Sequence, residues 1–273
     1  MLYVVATPIG NLEDMTFRGV KTLKESDIIL CEDTRRSKIL LDRYEIKSEL
    51  ISYHKFNENE RVEFVLAKLR EGKNVSLITD AGTPIISDPG YVLVNRVKAE
   101  GLEYTSIPGA CACVNALVLS GMDATAFMFV GFLPKNKKRS EFIKNVENVT
   151  TTLVFYISPH SVNDDIKDLY KVLGSRNGVL IKEMTKIYEK AIDITLSDTL
   201  ELELKGEMVL VLEGKKTSQG DCLQLSPMEH LMGYINSGMS KNDAIKLVAK
   251  TRNVPKNEIY KLLNSEEKDE IDE

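Results

Sequence analysis

Val75-Ser76-Leu77-Ile78-Thr79-Asp80-Ala81-Gly82-Thr83-Pro84-Ile85-Ile86-Ser87-Asp88-Pro89-Gly90 decides the fold class. Val75–Thr79 reads as a short buried strand, the residues after it form a loop dense in Asp, Gly and Pro, and Tyr91–Gly101 then takes up a helical pattern. A strand covered on both faces, followed by a polar loop and a helix, is one βα unit of a parallel sheet.

The same unit recurs on either side. Leu2–Ala6 runs into the loop Thr7–Asn11 and a helix over Phe17–Glu25, and Ile28–Cys31 is the next strand. Asn59–Glu71 is helical, with Val62, Val65, Leu66 and Leu69 on one face and Gly72 as its stop. Tyr104–Ile107 is a strand that leads to the apolar helix Ala112–Leu119. The pattern breaks at Gly121–Asp123. Phe127–Leu133, Leu153–Ile157, Val179–Glu183 and Met208–Glu213 then predict the strands of a second α/β unit, with a helix over Ser161–Leu173. Ser226–Asn264 is wholly helical in pattern. A capping-box sequence at Ser240 and Asp243 precedes two short helices, Lys241–Lys250 and Lys256–Leu263, in a layout similar to a helix-turn-helix. The expected divisions are therefore 1–120, 124–216, 226–264 and a tail at 265–273.

The formal charge of -5 argues at first against a nucleic-acid partner. Yet residues 265–273 hold six acids and one Lys, a net -5, so the other residues sum to zero. Locally the sign reverses. Lys135, Lys137, Lys138 and Arg139 place four cations in five positions, and Ser226–Asn264 carries six Lys and Arg against three acids. Such runs suit phosphate contact, and equally a solvated surface or a packing module. Cys31, Cys111, Cys113 and Cys222 form no disulfide framework, and three scattered histidines with no second Cys/His pair give no metal site. No basic leader and no membrane-length apolar run is present, so a cytoplasmic protein is expected.

Four loops leave the carboxyl ends of strands, where open parallel sheets bind ligands: Thr7–Asp14, Glu32–Arg36, Asp80–Gly90 and Pro108–Ala110. Each alone could be an ordinary turn or helix cap. Four at successive strand ends would converge on one edge. Neither GxxxxGK[ST] nor GxGxxG occurs, which disfavours ATP-type phosphate cradling and a dinucleotide fold.

These four strings together resemble the tetrapyrrole methylase family. Gly131–Lys135, Lys182–Glu189 and Lys205–Gly214 resemble the branch of it that methylates a ribose 2′-hydroxyl of 16S ribosomal RNA. The resemblance implies a two-domain α/β fold of the class III S-adenosylmethionine (SAM) methyltransferases. It has a parallel N-terminal sheet, a mixed C-terminal sheet and a small helical C-terminal module. It also implies SAM in the cleft between the domains, a homodimer, no membrane association, and 2′-O-methylation of a decoding-region cytidine in the small ribosomal subunit. By motif position the cofactor residues would be Pro8, Gly10, Asp80, Gly82, Thr83, Ile86, Gly109, Ala110 and Cys111.

A ribose hydroxyl is a poor nucleophile, so a base or cation that favours the alkoxide helps the transfer. Asp33 and Glu183 are the expected catalytic carboxylates, with Arg35 steering phosphate or stabilising charge. Arg35, Arg36, Lys135, Lys137, Lys138 and Arg139 are the expected RNA contacts. Two other readings fit these residues: a methyltransferase of the same fold acting on a corrin precursor, and a non-catalytic SAM sensor joined to a nucleic-acid-binding module.

Overall fold

Ile28 and Leu30 pack with one set of core residues, and Ile29 and Cys31 with another. That alternation of faces is what a strand buried on both sides requires. A computed structural model describes residues 1–135, 137–197, 206–216, 225–236 and 238–261. Cys222, Lys205 and the acidic stretch 265–273 lie outside the described residues.

In the first sheet, β1 (Leu2–Val5), β2 (Ile28–Cys31), β3 (Glu49–Ser52), β4 (Val75–Leu77) and β5 (Tyr104–Ile107) run in the order β3-β2-β4-β1-β5. All pairings are parallel. Helices α1 (Phe17–Lys24) and α2 (Thr34–Arg43) bring Leu23 and Leu41 to one face. Helices α3 (Glu58–Arg70) and α4 (Tyr91–Ala99) bring Leu66, Leu69, Leu93 and Val97 to the other.

Helix α5 (Ala112–Ser120) follows β5 in the chain but packs on the second sheet, through Cys113, Ala116 and Leu117. The helix therefore joins the 1–120 stretch to the half that follows it. That sheet contains β6 (Phe127–Phe132), β7 (Thr152–Ile157), β8 (Asn177–Lys182), β9 (Lys190–Thr195) and β10 (Met208–Leu212), in the order β6-β7-β10-β8-β9. Only the β6–β7 pair is parallel, and a register shift lies between Phe129 and Gly131. Leu153, Phe155, Leu180 and Leu210 point away from α5, into a core shared with α6 (Arg139–Lys144) and α7 (Val162–Leu173).

Residues Met1–Lys215 form one compact unit and Lys216–Glu273 a second. In the second unit, α8 (Pro227–Asn236), α9 (Lys241–Arg252) and a helical turn at 256–261 enclose Leu231, Ala244, Ile245, Val248 and Ile259. Ser226 and Glu229 form a reciprocal capping box, and the Ser240 hydroxyl accepts from Asp243 N–H at 3.2 Å. Buried His230 accepts a hydrogen bond at Nδ1 from Arg252 Nε, 3.2 Å away.

The sequence pattern foresaw neither α2 and β3 nor α6 and β9. Strands β3 and β9 are sheet edges whose residues are mostly half-buried or exposed, so they lack the apolar runs that mark central strands.

Phe155 is fully buried at the centre of the second sheet's core. Phe155→Ala is expected to cost about 3–5 kcal/mol through lost transfer energy and a residual cavity. Urea unfolding followed by far-UV circular dichroism checks this, and a loss below about 1 kcal/mol contradicts the packing described.

Candidate active site

Backbone and side-chain hydrogen bonds bring the four strand-end loops together. Thr7 and Gly82 exchange a pair of them, Thr7 N–H to Gly82 O at 2.8 Å and Gly82 N–H to Thr7 O at 3.0 Å. The buried Thr7 hydroxyl donates to Thr79 O at 3.0 Å, tying the ends of β1 and β4 a second time. The Thr83 hydroxyl donates to Ala110 O at 2.9 Å, which draws in the loop after β5. The Asp80 carboxylate draws in the loop after β2. It accepts Asp33 N–H at 3.2 Å and pairs with the Arg36 guanidinium at 3.1 Å. The convergence expected from sheet topology is therefore built by named contacts.

The opposing wall comes from the second sheet. Gly10 faces it so closely that an added Cβ would stand 2.7 Å from Met184 O. Among the described residues six non-glycines have positive φ, and four of them sit here: Ile85 (79°), Ser87 (69°), Glu183 (51°) and Thr185 (65°). Left-handed backbone at non-glycine residues costs about 1–3 kcal/mol each and clusters at functional sites. Gly206 (φ 77°) leaves open the space that the Glu183 carboxylate fills.

Between the walls lies a cavity of about 540 Å³. Five carboxylates line it, Glu32, Asp80, Asp88, Glu183 and Glu207, against the cations Arg36 and Lys186. Both cations are committed, Arg36 to Asp80 and Lys186 to Glu183 at 3.1 Å. Burial pushes Asp88 up to about 6. The Thr79 hydroxyl beside it opposes that shift, and the negative charges of Glu32, Glu207 and Asp80 add to it. Burial and the nearby Asp80 raise Glu32 as well. The aromatic part of the lining is Phe132 and Tyr156, with ring centroids 5.4 Å apart. Burial raises the Tyr156 hydroxyl too, and that hydroxyl accepts Cys113 N–H at 3.2 Å.

The residues singled out by sequence divide clearly. Asp80, Gly82, Thr83, Ile86, Glu183 and Arg36 line the cavity, whereas Pro8, Gly10, Gly109, Ala110 and Cys111 stand outside its lining and shape the loops behind it. Gly109 does so by lying against Ala6, where an added Cβ would come within 2.9 Å of the alanine side chain. Asp33 is the N-cap of α2 and pairs with Arg35 at 2.8 Å, also outside the lining. The Arg35 guanidinium and backbone N–H hold its carboxyl down at about 2, which makes it a weak proton acceptor. Arg139 has to be withdrawn from the basic loop. Its guanidinium is mostly buried and paired with Asp165 and Asp168, one turn apart on α7. Lys135, Lys137 and Lys138 are exposed.

Asp88, Glu32, Glu207, Lys186 and Tyr156 were not foreseen. The one sequence signal for Asp88 was its place in the Pro/Gly-rich loop after β4. Among the described residues no cluster of His, Cys, Asp and Glu is arranged to hold a metal ion, and no helix is long and apolar enough to cross a membrane.

A family model described as Tetrapyrrole (Corrin/Porphyrin) Methylases matches residues 1–199. Ribosomal RNA small subunit methyltransferase I of Halalkalibacterium halodurans is 43% identical over 274 residues, covering 97% of this chain and 95% of that protein. The Bacillus subtilis protein of the same name is 39% identical, covering 95% and 92%. The one from Thermotoga maritima is 41% identical over 219 residues, which are 79% of this chain and 99% of that one. Solved structures share the fold at low identity. Diphthine synthase superposes with a TM-score of 0.64 at 14% identity, covering 80% of this chain and 90% of that one. Uroporphyrin-III-C-methyltransferase of Thermus thermophilus superposes at 0.57 with 18% identity, covering 78% and 93%.

The raised Asp88 carboxyl has a consequence for stability. The folded chain holds this proton more tightly than an unfolded chain, whose Asp titrates near 3.9. The group is therefore neutral in its effect below about pH 4 and destabilises the fold as pH rises through about 6. Asp88→Asn is expected to melt a few degrees above wild type at pH 8 and level with it at pH 4. A difference that is the same at both pH values contradicts the shift.

Proposed function

This chain belongs to the tetrapyrrole (corrin/porphyrin) methylase family, and from that premise we propose that it methylates a ribose 2′-hydroxyl of 16S ribosomal RNA in the small subunit. The chain is a SAM-dependent methyltransferase. The acceptor is our own assignment, a decoding-region cytidine. The observation that carries the reading is a likeness, over nearly the whole length of both chains, to proteins named Ribosomal RNA small subunit methyltransferase I.

The cleft suits this cofactor. SAM carries a sulfonium, an ammonium and one carboxylate, a net positive charge that Glu32, Asp80, Glu183 and Glu207 favour against two paired cations. A volume of about 540 Å³ lies within the range of cofactor sites. Bound there, the sulfonium supplies an activated methyl, which leaves alignment and proton handling to the protein. The loop from Asp80 to Ile86 and the strand end at Gly206–Val209 would hold it, with Pro8, Gly10, Gly109, Ala110 and Cys111 setting the loop shapes behind. Glu183, paired with Lys186, serves cofactor positioning in this reading.

The same charges speak against a corrin precursor, whose peripheral carboxylates would meet an acidic wall. RNA satisfies the constraint in another way. In this reading its phosphates meet Lys135, Lys137, Lys138 and Arg35 outside the lining, and only the ribose edge that bears the 2′-hydroxyl reaches the cleft, whose Arg36 is held by Asp80. In this reading the chain acts as a homodimer. The stretch 114–128, which leaves Val114, Val118, Leu119, Phe127 and Met128 exposed, offers the apolar surface for it.

Incubation with labelled SAM and small subunits lacking the modification is expected to give a single 2′-O-methyl site, mapped by its resistance to alkaline cleavage. Label found only in small tetrapyrroles rejects the assignment. The double variant Lys135→Glu, Lys137→Glu is expected to weaken subunit binding at low salt and to lower the slope of log K against log salt by about 2. An unchanged slope removes this loop from the RNA contact.

A further inference from the structure

Five carboxylates line the cleft, and the structure assigns them different work. Asp80 is occupied by Arg36 and by Asp33 N–H, and Glu183 by Lys186. Burial and the charge of Asp80 raise Glu32, with His54 and Arg36 opposing that shift, and Glu207 stands on the wall of the second sheet. Asp88 has no ion pair among the described residues. The charged groups that act on it most are Glu32, Glu207 and Asp80, all acids, with the Tyr156 hydroxyl on the opposing wall. Arg36 and Lys186, the cations of the lining, are both spoken for by other carboxylates.

The position of Asp88 is fixed in advance. Ile85 and Ser87 before it are held at positive φ, and Gly90 after it (φ 128°) lies so close to Leu77 that an added Cβ would come within 2.6 Å of Cδ2. On its other side, the Ser87 hydroxyl lies against Gly131 of β6, 3.1 Å from where a Cβ would be. Asp88 lines the cleft from a loop of fixed backbone, is half-buried and has no ion pair among the described residues. Unlike Glu32, it has no cation among the groups that act on it most, so a proton is more welcome on it than on the paired Asp80 and Glu183.

On the footing of the function proposed above, we propose that Asp88 is the general base of the methyl transfer. Its carboxylate takes the proton of the attacking ribose 2′-hydroxyl as the oxygen–methyl bond forms. The sulfur–methyl bond of the sulfonium donor breaks in the same step, and sulfur keeps that electron pair as a neutral thioether. The proton later leaves Asp88 for solvent. Protonation ahead of the reaction blocks the step, so the rate follows the ionised fraction of Asp88. Burial and the neighbouring Glu32, Glu207 and Asp80 place the change in that fraction near pH 6.

Single-turnover methyl transfer to unmodified small subunits tests this, alongside calorimetric SAM binding. The wild-type rate is expected to rise with pH to a plateau, with a midpoint near 6. Asp88→Asn is expected to lose about 10²-fold or more in rate, to lose the rising limb, and to bind SAM within about threefold of wild type. Asp88→Glu is expected to recover part of the rate and to move the limb. A rate for Asp88→Asn within about threefold of wild type, or a rising limb that survives the substitution, overturns the assignment while leaving the function standing. Loss of SAM binding in step with the rate also overturns it, by making Asp88 a cofactor-positioning residue. Should the asparagine variant fail to fold, the wild-type limb and its displacement in Asp88→Glu decide, and an undisplaced limb overturns the proposal. A wild-type protein that methylates no subunit overturns the function, and the base with it.

Discussion

The pair of backbone hydrogen bonds between Thr7 and Gly82 is the constraint from which the site follows. Strands β1 and β4 are neighbours in the sheet, and a parallel sheet sends both chains out at the same edge. Without a tie those loops would part, each turning back into its own helix. Gly82 makes the tie at φ 87°, a conformation that costs glycine little and other residues more. From there the links spread outward, through Thr83 to Ala110 and through Asp80 to Asp33 and Arg36. Asp80 therefore serves the architecture, and the reactive positions stand beside it.

The second wall meets the first through absent side chains and stored strain. Gly10 lets the first loop lie against Met184 O, and Gly206 makes room for the Glu183 carboxylate. Ile85 and Ser87 on one wall, and Glu183 and Thr185 on the other, are forced to positive φ. Each such residue costs of order 1–3 kcal/mol, which the surrounding packing must offset. The cores beneath them, around Phe155 and Leu210 in one sheet and Leu30 and Leu77 in the other, are large enough to do so. Rigidity in the loops thus rests on the stability of the two sheets.

How much of this was legible in the sequence depends on where its physical cause lies. Strands β2 and β5 could be read to the residue because local patterning sets them, and Asp80–Gly90 stood out by composition alone. Edge strands β3 and β9 could not be read, because they carry no apolar run and no loop signal marks their ends; β5 is an edge strand as well, and it was legible by the Pro108-Gly109 turn that follows it. Asp33 looked available and stands as the cap of α2, whereas Asp88 looked like one loop acid among several and is half-buried in the cleft, with no ion pair among the described residues. Arg139 looked like part of a charge run, and only the fold shows that Asp165 and Asp168 take it inward. Charge in a sequence is a count, while reactivity depends on burial and partners set by residues far along the chain.

An acidic cleft in a chain proposed to act on RNA is a selection device. Phosphodiester charge is repelled from a wall that holds five carboxylates, so a continuous backbone cannot lie along its floor. In the proposed reading only the edge of one ribose reaches the cleft, and the phosphates on either side of it stay at the mouth. Recognition of single-stranded, splayed nucleotides is how proteins commonly read RNA. The Thermotoga relative matches over 99% of its own length while leaving about a fifth of this chain without a counterpart.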